Sequence, residues 1–209
     1  MELPFAVLFL SVLAGHAHAL RCYKCEDSKC DQGAEVQACA GGEMCMTRTG
    51  WQKHVGKKVV KSCIASKDCT NISLNLGSII TTINCCTKDL CNGETVQEEK
   101  NELLCMGCMD MLSDFKCNRT GPVQCKESQT KCGNLQSFNS RGDRNIMVNF
   151  QGCVSKSICS LNSTELIFEI NLGNSFECCD GNLCNGTSRT VTGALCWIIL
   201  CLSLLVTSN

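Results

Sequence analysis

The arrangement of cysteines restricts what this chain can fold into more than any other feature of its 209 residues, 22 of which are Cys. Ten of them, Cys22, Cys25, Cys30, Cys39, Cys45, Cys63, Cys69, Cys85, Cys86 and Cys91, are followed by Asn92. Ten more, Cys105, Cys108, Cys117, Cys125, Cys132, Cys153, Cys159, Cys178, Cys179 and Cys184, are followed by Asn185. Each set opens with CxxC and closes with CCxxxxCN, and Asn-Leu-Gly recurs before the paired cysteines, as Asn75-Leu76-Gly77 and Asn171-Leu172-Gly173. A pattern repeated at this length is a tandem duplication of two domains of about 75–80 residues.

Cysteine at about a tenth of the residues marks a disulfide scaffold made in an oxidising compartment. The 19 basic and 20 acidic residues leave a net charge of −1, without the basic face that nucleic-acid binding requires. The first set spans only Tyr23 and Trp51 as aromatics, so its core is small. Disulfides therefore stand in for core volume, each contributing roughly 2–4 kcal/mol by restricting the unfolded chain.

Both ends read as processing signals. Phe5 to Gly15 is an apolar run followed by Ala17-His18-Ala19, so residues 1–19 are expected to form a signal peptide cleaved after Ala19. Ala194 to Val206 is apolar and only three residues follow it. It is shorter than a transmembrane helix and lacks a basic stop. With the small residues Asn185-Gly186-Thr187-Ser188 before it, the tail reads as a glycosylphosphatidylinositol (GPI) attachment signal, with Asn185 the first choice of anchor residue and Gly186 the second. The expected organisation is domain 1 at 20–92, an acidic solvated linker at 93–104, domain 2 at 105–185 and a removed tail at 186–209. Removal of both ends leaves an even cysteine count, as a closed framework requires.

Within the domains, the patterning is that of strands. Ile72, Leu74 and Leu76 alternate with Asn71, Ser73 and Asn75, which predicts a strand with one polar face, a turn at Gly77-Ser78 and a return over Ile79 to Ile83. Leu166, Phe168, Ile170 and Leu172 alternate in the same way before Gly173-Asn174. Thr47 to Lys61, with Gly50 and Gly56 among polar and β-branched residues, predicts another hairpin. The fold class is all-β and disulfide-rich.

Ten cysteines allow about 945 pairings, which spacing alone does not resolve. The CxxC and CCxxxxCN ends of both sets resemble the three-finger, snake-toxin-like domain of the lymphocyte-antigen-6/urokinase-receptor family. That resemblance implies pairing of first with fifth, second with third, fourth with sixth, seventh with eighth and ninth with tenth cysteine. In domain 1 it implies Cys22–Cys45, Cys25–Cys30, Cys39–Cys63, Cys69–Cys85 and Cys86–Cys91. In domain 2 it implies Cys105–Cys132, Cys108–Cys117, Cys125–Cys153, Cys159–Cys178 and Cys179–Cys184. It further implies that Asn92 and Asn185 tie each hub through backbone hydrogen bonds, and that a lipid anchor follows the last domain.

The CxxC pairs could in principle serve zinc or thiol exchange, but neither a βαβ context nor a reducing compartment accompanies them, so structural bridges are expected and no cofactor or metal. His54, the one histidine left after signal removal, sits beside Lys53 with no nucleophile motif near it. The chain is read as a binding protein and not an enzyme.

Recognition is expected on loops held by the scaffold. Met46 to Ser62 carries Arg48, Lys53, Lys57, Lys58 and Lys61 around Trp51 with no acid, which suits an acidic protein surface or a sulfated or sialylated glycan. The same lysines could equally serve to solvate a hairpin edge. The matching segment of domain 2 holds Arg141-Gly142-Asp143, an integrin-recognition tripeptide that is also ordinary turn chemistry. Asn71, Asn118 and Asn162 head glycosylation sequons, and Asn185 heads a fourth that overlaps the anchor signal. The expected protein is GPI-anchored on the extracellular face of the cell membrane and binds another extracellular protein. The alternative is a secreted two-domain inhibitor or signalling ligand, phospholipase-inhibitor-like or pheromone-like.

Overall fold

The computed structural model describes residues 19–27, 29–94, 98–111, 117–141, 144–161 and 176–186. The alternating segment Leu166 to Leu172, the sequon at Asn162, most of the leader and the apolar tail lie outside them. The described residues divide into two compact units, one of residues 1–72 and 81–97, the other of residues 73–80 and 98–209.

The first unit is built from hairpins. Strands β1 (Arg21–Glu26) and β2 (Glu35–Ala38) flank a single α-helical turn, α1 (Lys29–Gln32). Strands β3 (Glu43–Gln52) and β4 (Gly56–Ala65) form the long second finger, with a ladder from Glu43 opposite Ala65 to Gln52 opposite Gly56. Its turn uses His54 at φ +77° and Gly56 at φ +101°, and the Val55 N–H donates to Gln52 O at 3.1 Å. Histidine is among the few side chains that enter the left-handed region readily, which gives His54 a conformational role. Strand β6 (Ile79–Cys86) returns from the third hairpin, whose outgoing strand is β5 (Ile72–Asn75). In this unit the strand order is β6-β3-β4-β1-β2.

The second unit has a two-stranded finger of β7 (Lys100–Met111) and β8 (Cys117–Lys126). Beside it lies a sheet in the order β11-β9-β10-β5, made of β9 (Lys131–Arg141), β10 (Arg144–Val154), β11 (Glu177–Cys179) and the β5 residues Ser73–Asn75. Cys153 and Val154 pair with Asn75 and Leu74. Leu74, Leu76, Leu135, Phe150, Val154 and Ile158 are its largest fully buried apolar side chains.

This seating corrects two expectations. The alternation over β5 does not present a polar face to water: Ser73 is 2% and Asn75 7% exposed. Their polar atoms are met from within unit 2. The Ser73 N–H donates to Ser155 Oγ at 3.0 Å and the Ser155 N–H to Ser73 O at 2.8 Å. The fully buried Gln129 donates through Nε2 to Ser73 Oγ at 2.9 Å, and Asn75 Nδ2 donates to Gln124 O at 3.3 Å. A buried polar group is tolerated when it is hydrogen-bonded, so a period of two does not distinguish a wet face from a dry, satisfied one. The second half of the expected linker is likewise structured. Residues Lys100 to Leu104 belong to β7, Asn101 Nδ2 donates to Gln129 O at 3.2 Å, and Leu103 packs on the sulfur-rich core.

Candidate functional site

Each hub is a knot of disulfides. Unit 1 contains Cys22–Cys45, Cys25–Cys30, Cys39–Cys63, Cys69–Cys85 and Cys86–Cys91. Unit 2 contains Cys105–Cys132, Cys108–Cys117, Cys125–Cys153, Cys159–Cys178 and Cys179–Cys184. The sulfurs of Cys22, Cys39 and Cys63 lie within 4.8 Å of one another, as do those of Cys45, Cys86 and Cys91 and those of Cys105, Cys125 and Cys153. All nine are spent in S–S bonds, which leaves them no thiolate for a metal.

The residue after the last cysteine closes each hub in the same way. Asn92, 2% exposed, accepts the Tyr23 N–H through Oδ1 at 2.9 Å and donates through Nδ2 to Tyr23 O at 2.9 Å and Met46 O at 3.1 Å. Asn185 accepts the Met106 N–H at 2.8 Å and donates to Met106 O at 2.9 Å and Gly133 O at 3.0 Å. One side-chain amide thereby mimics a peptide unit between two strands. The final CCxxxxCN loop is held as well. Leu90 and Leu183 take φ +56° and +57°, and their N–H groups donate to Arg21 O and Leu104 O, both at 2.7 Å. Asp89 Oδ1 accepts the Arg21 N–H at 3.0 Å, and Asn182 Oδ1 accepts the Leu104 N–H at 2.9 Å.

Lys61, named above only as one of the finger's basic residues, and Gln151 share a role that the sequence does not announce. Two positions before the sixth cysteine of each set, a long polar side chain reaches the segment leaving the hub. Lys61 donates to Gly93 O, and Gln151 Nε2 donates to Asn185 O at 3.2 Å. The position relative to Cys63 and Cys153 was available as a signal, although the two residue types differ.

The basic second finger is divided by strand parity. Residues opposite one another in the ladder share a face. Trp51 therefore stands beside Lys57, whereas Gly50 opposite Lys58 and Arg48 opposite Val60 place Lys58 and Arg48 on the reverse side; Lys61, opposite Thr47, has the parity of Trp51 but lies at the base of the finger. Trp51 is 39% and the tip residue Val55 76% exposed, and Lys57 and Lys58 are exposed as well. Lys58 Nζ lies 3.8 Å from Glu26 Oε1, an exposed pair of little energetic weight. Arg48 and Lys53 are half-buried, and Lys61, only 6% exposed, is part of the hub clamp. The cluster read from the sequence thus resolves into one aromatic–cation face and separate cations elsewhere.

Of the remaining expected residues, Arg141 is in register with Arg144 at the end of the β9–β10 ladder, and Gly142 and Asp143 lie outside the described residues. Asn71 is exposed, with Oδ1 accepting the Cys85 N–H at 2.7 Å. Asn118 is exposed, with Nδ2 donating to Asp110 Oδ2 at 3.3 Å.

Hairpins radiating from a disulfide hub, twice over, define a disulfide-rich, all-β three-finger protein. The chain belongs to the u-PAR/Ly-6 family, whose domain matches residues 18–94 and again 101–187. It is 30% identical over 107 residues to the CD59 glycoprotein of Pongo abelii, covering 47% of this chain and 80% of that protein. It is 27% identical over 132 residues to the urokinase plasminogen activator surface receptor of Rattus norvegicus, covering 60% of this chain and 39% of the receptor. Micrurotoxin 1 of Micrurus mipartitus matches along its whole length, at 29% identity over 73 residues and 35% of this chain. Members of the family are often GPI-anchored binding or receptor proteins.

Proposed function

We propose that this protein is a GPI-anchored cell-surface binding protein that recognises another extracellular protein through the tip of its first repeat's second finger. The observation that carries the reading is the shared face of Trp51 and Lys57 on a hairpin whose base is fixed by Cys22–Cys45 and Cys39–Cys63. A rigid finger loses little conformational freedom on binding. A tryptophan beside an ammonium supplies an apolar anchor and an attraction for an acidic partner surface.

The test is binding of a soluble Fc fusion of the two repeats to cells that carry the partner. Trp51→Ala should weaken binding by about 30-fold, the equivalent of ~2 kcal/mol for an interface anchor. Lys57→Glu should weaken it by a similar factor, while Lys58→Glu, on the reverse face, should change it by less than about threefold. Equal losses for the two lysine variants would reject the parity argument.

The membrane half of the proposal rests on the small residues Asn185-Gly186-Thr187-Ser188 ahead of the short apolar segment from Ala194 to Val206 and on the habit of the family. Among the described residues no helix is long and apolar enough to cross a membrane. Phosphatidylinositol-specific phospholipase C applied to intact expressing cells is expected to move the protein from the surface into the medium. Secretion without the lipase would favour the inhibitor or signalling-ligand reading instead.

A further inference from the structure

Asn185 invites two modifications by its context: it heads the sequon Asn185-Gly186-Thr187, and it opens the run of small residues before the apolar tail. We infer that it carries neither, and that the lipid anchor joins the chain at Gly186. The anchor half rests on the membrane reading above; the glycan half stands without it.

The argument begins with the Asn185 amide. Both of its N–H bonds are occupied, one on Met106 O at 2.9 Å and one on Gly133 O at 3.0 Å, and the residue is 8% exposed. A glycan replaces one of those hydrogens and would have to occupy the hub. A chain glycosylated there does not close its second repeat and is not delivered to the surface.

The Asn185–Gly186 peptide bond is equally committed. Its carbonyl oxygen accepts Gln151 Nε2 at 3.2 Å, and its N–H donates to Leu183 O at 2.9 Å. Processing enzymes act on exposed, extended segments whose backbone is not hydrogen-bonded. The first repeat shows why an Asn-Gly pair stands here at all. The Asn92–Gly93 peptide bond is committed in a similar way, its N–H donating to Leu90 O at 3.2 Å and its carbonyl oxygen accepting Thr47 Oγ1 at 3.3 Å, at a place where the chain simply continues. In both repeats a side chain in place of the glycine would press on the side chain of the strand residue that the asparagine holds. A Cβ on Gly93 would lie 3.0 Å from the Tyr23 ring, and one on Gly186 2.4 Å from Met106 Cγ. Hub closure therefore accounts for Asn185 and for the absence of a side chain at 186, so the asparagine is not evidence of an anchor signal.

The first bond beyond this lock is Gly186–Thr187. Gly186 is exposed. Gly186-Thr187-Ser188 supplies three small residues in a row, with the polar stretch from Arg189 to Gly193 before the apolar tail. In the exchange, the Gly186 C–N bond to Thr187 breaks, and a new amide forms between the Gly186 carbonyl carbon and the primary amine of the glycolipid's ethanolamine. One amine proton passes to the departing Thr187 nitrogen, and no oxidant or reductant takes part.

The experiment uses the full-length protein on intact cells. Protein released by phosphatidylinositol-specific phospholipase C is treated with peptide N-glycosidase in ¹⁸O water, reduced, alkylated, cleaved after Glu177 and analysed by mass spectrometry. The expected C-terminal peptide runs from Cys178 to Gly186, bears on its terminal carboxyl the ethanolamine phosphate with the glycan core that the lipase leaves behind, and contains Asn185 without the ¹⁸O-Asp conversion that marks a former glycan. A peptide ending at Asn185, or one ending beyond Gly186, overturns the anchor assignment. An ¹⁸O-Asp at 185 that forms with the glycosidase, but not in a parallel incubation in ¹⁸O water without it, overturns the glycan half. Absence of lipase release rejects the membrane reading alone, and the same peptide taken from detergent-extracted or secreted protein still decides the state of Asn185.

Discussion

Replacing Gly152 by alanine should cost the second unit about 3 kcal/mol, at the upper end of what an overpacked interior site loses. A Cβ built there would lie 2.2 Å from Asn75 O and 2.8 Å from Leu76 Cα. Both are backbone atoms, so no side-chain rotation relieves the clash. The seat cannot easily widen either, because the adjacent Cys153 and Val154 are in register with Asn75 and Leu74, and Cys153 is bonded to Cys125. The expected results are a lower denaturant midpoint and a reduced yield of secreted protein. Gly50→Ala is the control: it also adds a methyl to a strand glycine, but nothing lies within 4 Å of the new atom, and its stability should stay within about 0.5 kcal/mol of the parent. Equal behaviour of the two variants would mean that residues 73–80 do not sit in unit 2 as described.

Asn92→Ala should be of similar or greater severity. It removes one acceptor and two donors, stranding the Tyr23 N–H, Tyr23 O and Met46 O inside the first hub. Each unsatisfied buried group costs on the order of 1–3 kcal/mol, so a total near 4 kcal/mol is expected after some relaxation. Asn92→Asp separates this explanation from simple loss of volume. It keeps size and the acceptor for Tyr23, but sets a carboxylate oxygen against two carbonyl oxygens, and should therefore fail to rescue. The readouts are secreted yield and the number of alkylatable thiols in the product, which should rise as the framework closes incorrectly. If Asn92→Asp behaves like the parent, the amide is not bonded as described.

The duplication, the strand character and the second-finger hairpin were legible because they rest on local signals: cysteine spacing, alternation, and Gly50 and Gly56. The polar half of β5 was not. Ser73 and Asn75 alternate with leucines just as solvent-facing residues would, and what reverses their meaning is Gln129, Gln124 and Ser155, dozens of residues away in the chain. The lysines of the second finger show a related limit. Lys57, Lys58 and Lys61 look alike in the sequence, and only the register tells that the first shares a face with Trp51, the second faces the other way and the third is buried in the clamp on Gly93. The left-handed Leu90 and Leu183 had no signal of their own, because leucine is an improbable choice for that conformation and only the surrounding loop imposes it.

The closing asparagine grips main-chain atoms almost exclusively. Tyr23 in one repeat and Met106 in the other receive the same pair of bonds, and Gly133 O takes the place of Met46 O. A palm secured this way makes its grip on peptide groups, which every residue carries. The digits can drift, lengthen or exchange their chemistry while the crosslinks and a single amide keep the hand intact. Within one polypeptide, the two copies already carry different residues between their fifth and sixth cysteines, Trp51 and Lys57 in one and Arg141-Gly142-Asp143 in the other, on one frame.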